Sequence, residues 1–148
     1  MNDKSGYGRV LRNHAVVPKK RLGQHFMIDP ALLSAIARLM VPEEGRYVAV
    51  EIGSGIGTLT KELAARTNRV YALEMDTSLG PVLSETIAGL ANVEIFWGDA
   101  LEFDLTGGKT SKDHPGTPLM LCGNLPYYIT SEVLYSAIVK RCRWNRLA

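Results

Sequence analysis

Four short apolar runs recur along the chain, separated by stretches whose apolar residues follow helical spacing. The runs are Tyr47–Ile52, Val70–Met75, Val93–Trp97 and Leu119–Cys122. Each is rich in β-branched, aromatic or aliphatic residues and is followed by Gly or Asp, the pattern of a strand buried in a parallel sheet. Asp29-Pro30 offers an N-cap with proline at the first helical position, and Leu32, Leu33, Ile36, Leu39 and Met40 keep helical spacing until Pro42. Thr58–Arg66 predicts a second helix with Leu59 and Leu63 on one face. Thr77 is placed to cap a third that carries Leu79, Val82, Leu83, Ile87 and Leu90. Thr130 or Ser131 is placed to cap a fourth, with Val133, Leu134, Ala137 and Ile138 on one side. Residues 106–118 read as a polar Gly/Pro loop. Strands alternating with helices predict an α/β, doubly wound parallel sheet with right-handed crossovers. Ligands of such sheets bind beyond the carboxyl ends of the strands, where the strand order reverses.

Composition changes this picture little. Of the 148 residues, 46% are hydrophobic and 22% charged, ordinary for one compact domain and too apolar for a disordered chain. No run reaches the ~20 apolar residues of a membrane span, and Met1–His14 lacks the apolar core of a secretory signal. Cys122 and Cys142 lie at no metal-ligand spacing, so neither a zinc site nor a disulfide framework is expected, and a reducing cytoplasm is. The distribution of charge says more than its net value of +2. Residues 1–23 hold six Lys/Arg against Asp3 alone, and residues 140–148 hold four with no acid, leaving seven basic against fourteen acidic residues between them. Basic ends on an acidic body suit a polyanionic partner such as nucleic acid, or are simply solvated tails.

Candidate chemistry falls at the predicted strand ends. The first strand runs into Glu51-Ile52-Gly53-Ser54-Gly55-Ile56-Gly57-Thr58. Glycines there let the backbone turn tightly and approach a ligand. A dinucleotide fingerprint would need Gly at position 58, so the acidic E-x-G-x-G-x-G turn suits a cofactor without a pyrophosphate. Glu74 ends the second strand, where a carboxylate can accept both ribose hydroxyls of an adenosine, in nicotinamide and S-adenosylmethionine sites alike. Asp99, after the third strand, can accept from an adenine amine or simply cap a turn.

The fourth strand leads into Gly123-Asn124-Leu125-Pro126-Tyr127-Tyr128. An adenine N6 is a poor nucleophile because its lone pair is delocalised into the ring. The Asn124 side-chain oxygen and the Leu125 carbonyl can take its two hydrogens and free that lone pair. Pro126 stiffens the turn, and the Tyr127 ring can stack on an extruded base, worth roughly 1–3 kcal/mol.

With these residues, the chain resembles the N-terminal part of the ribosomal RNA adenine N6,N6-dimethyltransferases, from about Lys19 to Ile138. The likeness rests on Lys20-Arg21-Leu22-Gly23-Gln24-His25-Phe26, Glu51-Ile52-Gly53-Ser54-Gly55, Ala72-Leu73-Glu74-Met75-Asp76, Gly98-Asp99-Ala100-Leu101 and Asn124-Leu125-Pro126-Tyr127. It implies a Rossmann-like methyltransferase fold, S-adenosyl-L-methionine as donor, and adenosines of small-subunit rRNA as acceptor. It further implies that His25 and Met27 contact the cofactor with Gln24 nearby, and that Gly53 and Gly55 lie against its methionine part. Glu74 would hold the ribose, Asp99 the adenine, and Asn124 the boundary with the target amine, while Lys19–Arg21 would face RNA. His25, Met27 and Ser54 stand where the family often has Asn, Leu and Pro. By this resemblance residues 1–28 form a basic lead-in and 29–148 a partial methyltransferase domain. The sheet is expected to be truncated after about four strands, its fourth an open edge, with the family's helical domain absent and RNA methylation by this chain alone weak. A full-length relative would be a cytoplasmic monomer. A non-catalytic RNA-binding assembly factor and an NAD-dependent dehydrogenase are the alternatives.

Overall fold

The computed structural model describes residues 6–19, 24–104, 108–125, 127–136 and 145–147. In chain order the elements are α1 (Tyr7–Asn13), α2 (Pro30–Met40), β1 (Val48–Ile52), α3 (Thr58–Ala64), β2 (Arg69–Glu74), α4 (Gly80–Thr86), β3 (Val93–Trp97), α5 (Gly108–Asp113), β4 (Leu119–Cys122), α6 (Tyr127–Leu134) and β5 (Arg146–Leu147). Single 3₁₀ turns precede α4 at Thr77–Leu79 and follow β3 at Ala100–Glu102. Among the described residues the sheet is wholly parallel, in the order β3-β2-β1-β4-β5. The chain builds outward from β1 to β3 and then crosses to the other side of β1 for β4. The switch point therefore lies between the carboxyl ends of β1 and β4.

Alternation along the strands divides the core in two. On one face Ala49, Val70, Met120 and Cys122 pack with Leu33, Ala37 and Met40 of α2 and with Leu59 and Leu63 of α3. On the other, Val50, Ile52, Leu73 and Leu121 pack with Ala100 and Val133. Asp29 caps α2 by accepting from the amides of Ala31 and Leu32 at 2.9 and 3.2 Å. The buried stripe of α2 is Leu33, Ala37 and Met40 with Ile36 beside it, whereas Leu32 and Leu39 point outward. Helical spacing alone admitted both sets.

Several local expectations are revised. The cap before α4 is Asp76, whose carboxylate accepts from the Ser78 amide, and not Thr77. Helix α6 begins at Tyr127, ahead of Thr130 and Ser131. The reason is that Ile129 and Val133, one helical turn apart, both face the sheet, while Leu134 is exposed. The polar loop contains α5, anchored by a buried Thr110. The N-terminal lead-in forms α1, docked through Val10, Leu11 and Val16 on Ile56, Leu79 and Val82. Strand β4 is not an open edge: Met120 pairs with Arg146 and Leu121 with Leu147, and Asn145 exchanges two hydrogen bonds with Leu119, both 2.8 Å. Ala137, Ile138, Cys142 and the basic residues Lys140, Arg141 and Arg143 lie outside the described residues, as do Lys20, Arg21 and Pro126.

Candidate cofactor and target-amine site

The carboxyl ends of β1, β2, β3 and β4 surround a cavity of about 150 Å³. Two close approaches shape it. Gly123, directly after β4, leaves no space for a side chain: a Cβ there would sit 2.3 Å from the Ile52 carbonyl oxygen of β1. At the end of β1 the chain turns through Gly53, Gly55 and Gly57 at φ values of 73°, 59° and 81°, a left-handed path that side chains disfavour. A Cβ at Gly57 would meet Leu83 Cδ1 at 2.6 Å, so this glycine also lets α3 and α4 touch.

Six expected site residues line the one cavity: His25, Gly53, Gly55, Glu74, Asp99 and Asn124. Glu74 is buried, not a solvent-facing strand end. Its Oε2 accepts from the Gly55 amide at 2.7 Å and its Oε1 from the Asp76 amide at 2.8 Å. The acid thus fixes the Gly turn, and each oxygen keeps a second lone pair for a ligand hydroxyl. Asp99 caps the 3₁₀ turn, its Oδ1 accepting from the Leu101 amide at 2.9 Å, and the residue also borders the cavity. Asn124 is exposed to the cavity rather than folded inward. Its Nδ2 donates to the His25 carbonyl at 3.2 Å, which leaves Oδ1 as the end available to a ligand amine. The bond between His25 and Asn124 is thus made by the backbone carbonyl of residue 25.

Met27 does not line this cavity. Its side chain packs on the core beside α2 and α3, and it borders only a smaller adjoining pocket of about 40 Å³. Its carbonyl accepts from the Thr58 hydroxyl at 2.8 Å, pinning the N-terminal segment to the start of α3. Leu125 packs under the sheet with Ile129. Pro126 and the ring of Tyr127 lie outside the described residues and side chains. Lys19, read with Lys20 and Arg21 as an RNA-facing run, spends its charge on Asp76 at 2.7 Å.

Sequence reasoning missed the apolar walls. Phe26 reaches within 3.4 Å of where a Gly55 Cβ would be, and Ile52, Leu73 and Ile129 also border the cavity. These are ordinary core types in ordinary positions, so nothing in the pattern distinguishes them. Glu51, read as the acid that suits the Gly turn to a cofactor without a pyrophosphate, is buried and does not line this cavity. Burial pushes this carboxyl up to about 7, with the Glu74 charge adding to the rise and the 2.6 Å hydrogen bond from Thr60 Oγ1 opposing it. Next to it in register, burial and the Glu51 charge push the Cys122 thiol well up. The buried Ser54 hydroxyl has no hydrogen-bond partner among the described residues and borders the smaller pocket with Glu51.

The chain matches the family model described as ribosomal RNA adenine dimethylase over residues 17–145. It is 47% identical over 125 residues to ribosomal RNA small subunit methyltransferase A of Deinococcus radiodurans, covering 84% of this chain and 40% of that protein. It is 40% identical over 139 residues to the protein of the same name from Pelotomaculum thermopropionicum, covering 89% and 46%. The chain thus spans less than half the length of these relatives. Among solved structures it superposes on the 23S rRNA methyltransferase ErmE at a TM-score of 0.60 and 31% identity, covering 80% of this chain and 42% of that one. An O-methyltransferase from Bacillus cereus in complex with SAH, 21% identical over 96% of this chain and 63% of that one, shares the fold at a TM-score of 0.65. With the family model matching residues 17–145 and relatives 40% and 47% identical, the chain belongs to the ribosomal RNA adenine dimethylases.

Proposed function

We propose that this chain carries the cofactor site and target-amine loop of an S-adenosylmethionine-dependent methyltransferase acting on N6 of adenosines in small-subunit ribosomal RNA, adding two methyl groups. One observation carries the reading: Asn124 borders the same cavity as Gly53, Gly55, Glu74 and Asp99, with its amide nitrogen already committed to the His25 carbonyl. The cavity suits an adenosyl group because its glycine rim is a cradle that any Cβ would begin to fill, against Phe26 at Gly55 and against the Asn124 carbonyl, 4.0 Å away, at Gly53. Its apolar walls match a purine, and its carboxylates match hydroxyl and amine donors.

When bound, S-adenosylmethionine supplies a methyl group already activated on a sulfonium. The chain's own residues supply position. Glu74 accepts from the ribose hydroxyls and Asp99 from the base amine, while the Gly53–Gly55 backbone makes room for the amino-acid end. Asn124 Oδ1 and the Leu125 carbonyl would accept hydrogen bonds from the N–H groups of the target amine, drawing its nitrogen towards tetrahedral geometry and localising the lone pair for attack, with the surplus N–H proton released to water. Positioning and electrostatics then supply most of the acceleration, with no general base required. The Tyr127 ring is assigned to stack on the target base, and Pro126 to stiffen the loop.

The partner in this reading is rRNA of the small subunit, met in the cytoplasm by a monomeric enzyme. Among the described residues no helix is long and apolar enough to cross a membrane. The test is methyl transfer from labelled S-adenosylmethionine to immature small subunits, with the modified base mapped. Asn124→Ala is expected to reduce transfer at least ~100-fold, the range seen when a positioned transition-state contact is lost, while rRNA binding is retained. Transfer unchanged in that variant removes Asn124 from the mechanism. Binding of rRNA without any transfer by the unaltered protein favours the assembly-factor reading.

A further inference from the structure

One wall of the cavity, formed by Gln24, His25 and Phe26, belongs to no helix or strand. Strand ends are held in place by the sheet ladder; this segment is not. Apolar packing of Phe26 and Ile28 on Ile56, Leu79 and Val82 accounts for part of its placement. The polar part converges on Asp76, a residue that does not itself border the cavity. Asp76 is only 7% exposed and takes four hydrogen bonds. Two are local, from the Ser78 amide at 3.2 Å and the Ser78 hydroxyl at 2.6 Å. The other two come from the N-terminal segment, from Lys19 Nζ at 2.7 Å and Gln24 Nε2 at 2.9 Å. The Lys19 amide closes the ring by donating to Gln24 Oε1 at 2.9 Å. A helix cap needs only one carboxylate oxygen, and Oδ1 provides it; Oδ2 is directed to Gln24.

The same acid is wired to the cofactor and target-amine groups. Its amide donates to Glu74 Oε1, and Glu74 Oε2 in turn accepts from Gly55. Gln24 precedes His25, whose carbonyl holds Asn124 Nδ2. We propose that Asp76 is a positioning residue: its carboxylate latches the segment Gln24–Met27 over the cavity, and through it sets both cofactor affinity and the orientation of Asn124 without touching either ligand. This rests on the cofactor reading above. Burial alone would raise the Asp76 carboxyl, yet the hydrogen bonds from Lys19, Ser78 and Gln24 hold it well below the usual carboxylate range, so the latch stays charged through ordinary pH.

The experiment compares the purified protein with Asp76→Asn, Gln24→Leu and the double variant. It reads the Kd for S-adenosylhomocysteine by calorimetry, and amide hydrogen exchange at residues 24–28 without ligand. Each single substitution is expected to raise Kd about tenfold, and the double by little more than either, because residues in one hydrogen-bond network are not additive. Exchange at 24–28 is expected to quicken about tenfold while that of β1 and β2 is unchanged, the pattern of a local opening. Ser78→Ala removes the hydroxyl that donates to Asp76 and accepts from Lys19 Nζ at 2.8 Å but leaves the direct bonds from Lys19 and Gln24 to the Asp76 carboxylate, and is expected to leave Kd within about twofold. Single variants within twofold of the unaltered protein, effects that multiply in the double variant, or exchange that quickens across the whole sheet would each overturn the latch. If the unaltered protein binds no S-adenosylhomocysteine, the cofactor reading fails by itself. Exchange at 24–28 then still decides, since an unchanged rate in both variants overturns the latch and a faster one supports its closing role.

Discussion

The two sides of the cavity are built by different means. On the strand side, Gly53, Glu74, Asp99 and Asn124 follow directly from positions fixed by the parallel ladder, in which Glu51 pairs with Ala72 and Cys122 and Glu74 pairs with Trp97. On the N-terminal side, Gln24–Met27 has no ladder and is held by the apolar packing of Phe26 and Met27 together with isolated hydrogen bonds, among them Asp76 to Gln24, Thr58 to Met27 and Asn124 to His25. A residue on a strand end can move only if the sheet moves, whereas a residue on the segment can move when a few local contacts are lost. The difference separates substitutions that cost folding from those that cost binding.

The largest effect belongs to the strand side. Gly123→Ala forces a Cβ against the Ile52 backbone, where neither strand can yield, and is expected to destabilise the fold by about 3 kcal/mol or more, read as a loss of urea midpoint. A stable Gly123→Ala protein would mean that β1 and β4 approach less closely than described.

Next is pH. Glu51 titrates near 7 when folded and at an ordinary carboxylate value when unfolded, so the native state holds the extra proton between the two. The contribution of Glu51 to stability is therefore expected to be greatest below the unfolded value, to fall as pH rises towards about 7, and to level off above it, by up to about 3 kcal/mol in total, while the Asp76 carboxylate contributes in the opposite sense at low pH. Glu51→Gln keeps an acceptor for the Thr60 hydroxyl and removes the charge, so its urea midpoint is expected to lose this slope and exceed that of the unaltered protein at pH 8. Parallel pH profiles for the two proteins would contradict it.

Smaller effects fall outside the cavity. Asp29→Ala removes the cap of α2 and is expected to cost about 1 kcal/mol, with cofactor affinity unchanged. Glu85→Gln breaks the partly exposed pair with His14 that ties the stretch after α1 to α4, and is expected to cost under about 0.5 kcal/mol. A cost well above that would show that the N-terminal region is fastened more by charge than by Val10, Leu11 and Val16.

The same contrast explains what was legible in the sequence. The four long strands, the crossovers and the strand-end residues could be read because each is announced by a local pattern: an apolar run, then Gly, Glu or Asp. Asp76 could not be identified as more than a neighbour of Glu74, because its partners Lys19 and Gln24 lie over fifty positions away. Helix α1 was hidden because Val10 and Leu11 sit among charges, and their burial depends on Ile56 and Val82. Strand β5 was hidden because it is two residues long and is defined by pairing with β4 rather than by composition. The buried face of α2 shows the limit of periodicity alone: Leu39 fits the spacing as well as Met40 does, and only the sheet decides between them.

The account depends on an adenosyl ligand lying between Glu74 and Asp99, and calorimetry with S-adenosylhomocysteine and NAD side by side tests this most directly. Binding of S-adenosylhomocysteine but not NAD, with affinity falling at least ~100-fold in Glu74→Ala as a buried charged acceptor is lost, is the result expected. Binding of NAD in preference, or affinity for S-adenosylhomocysteine untouched by that substitution, would contradict it.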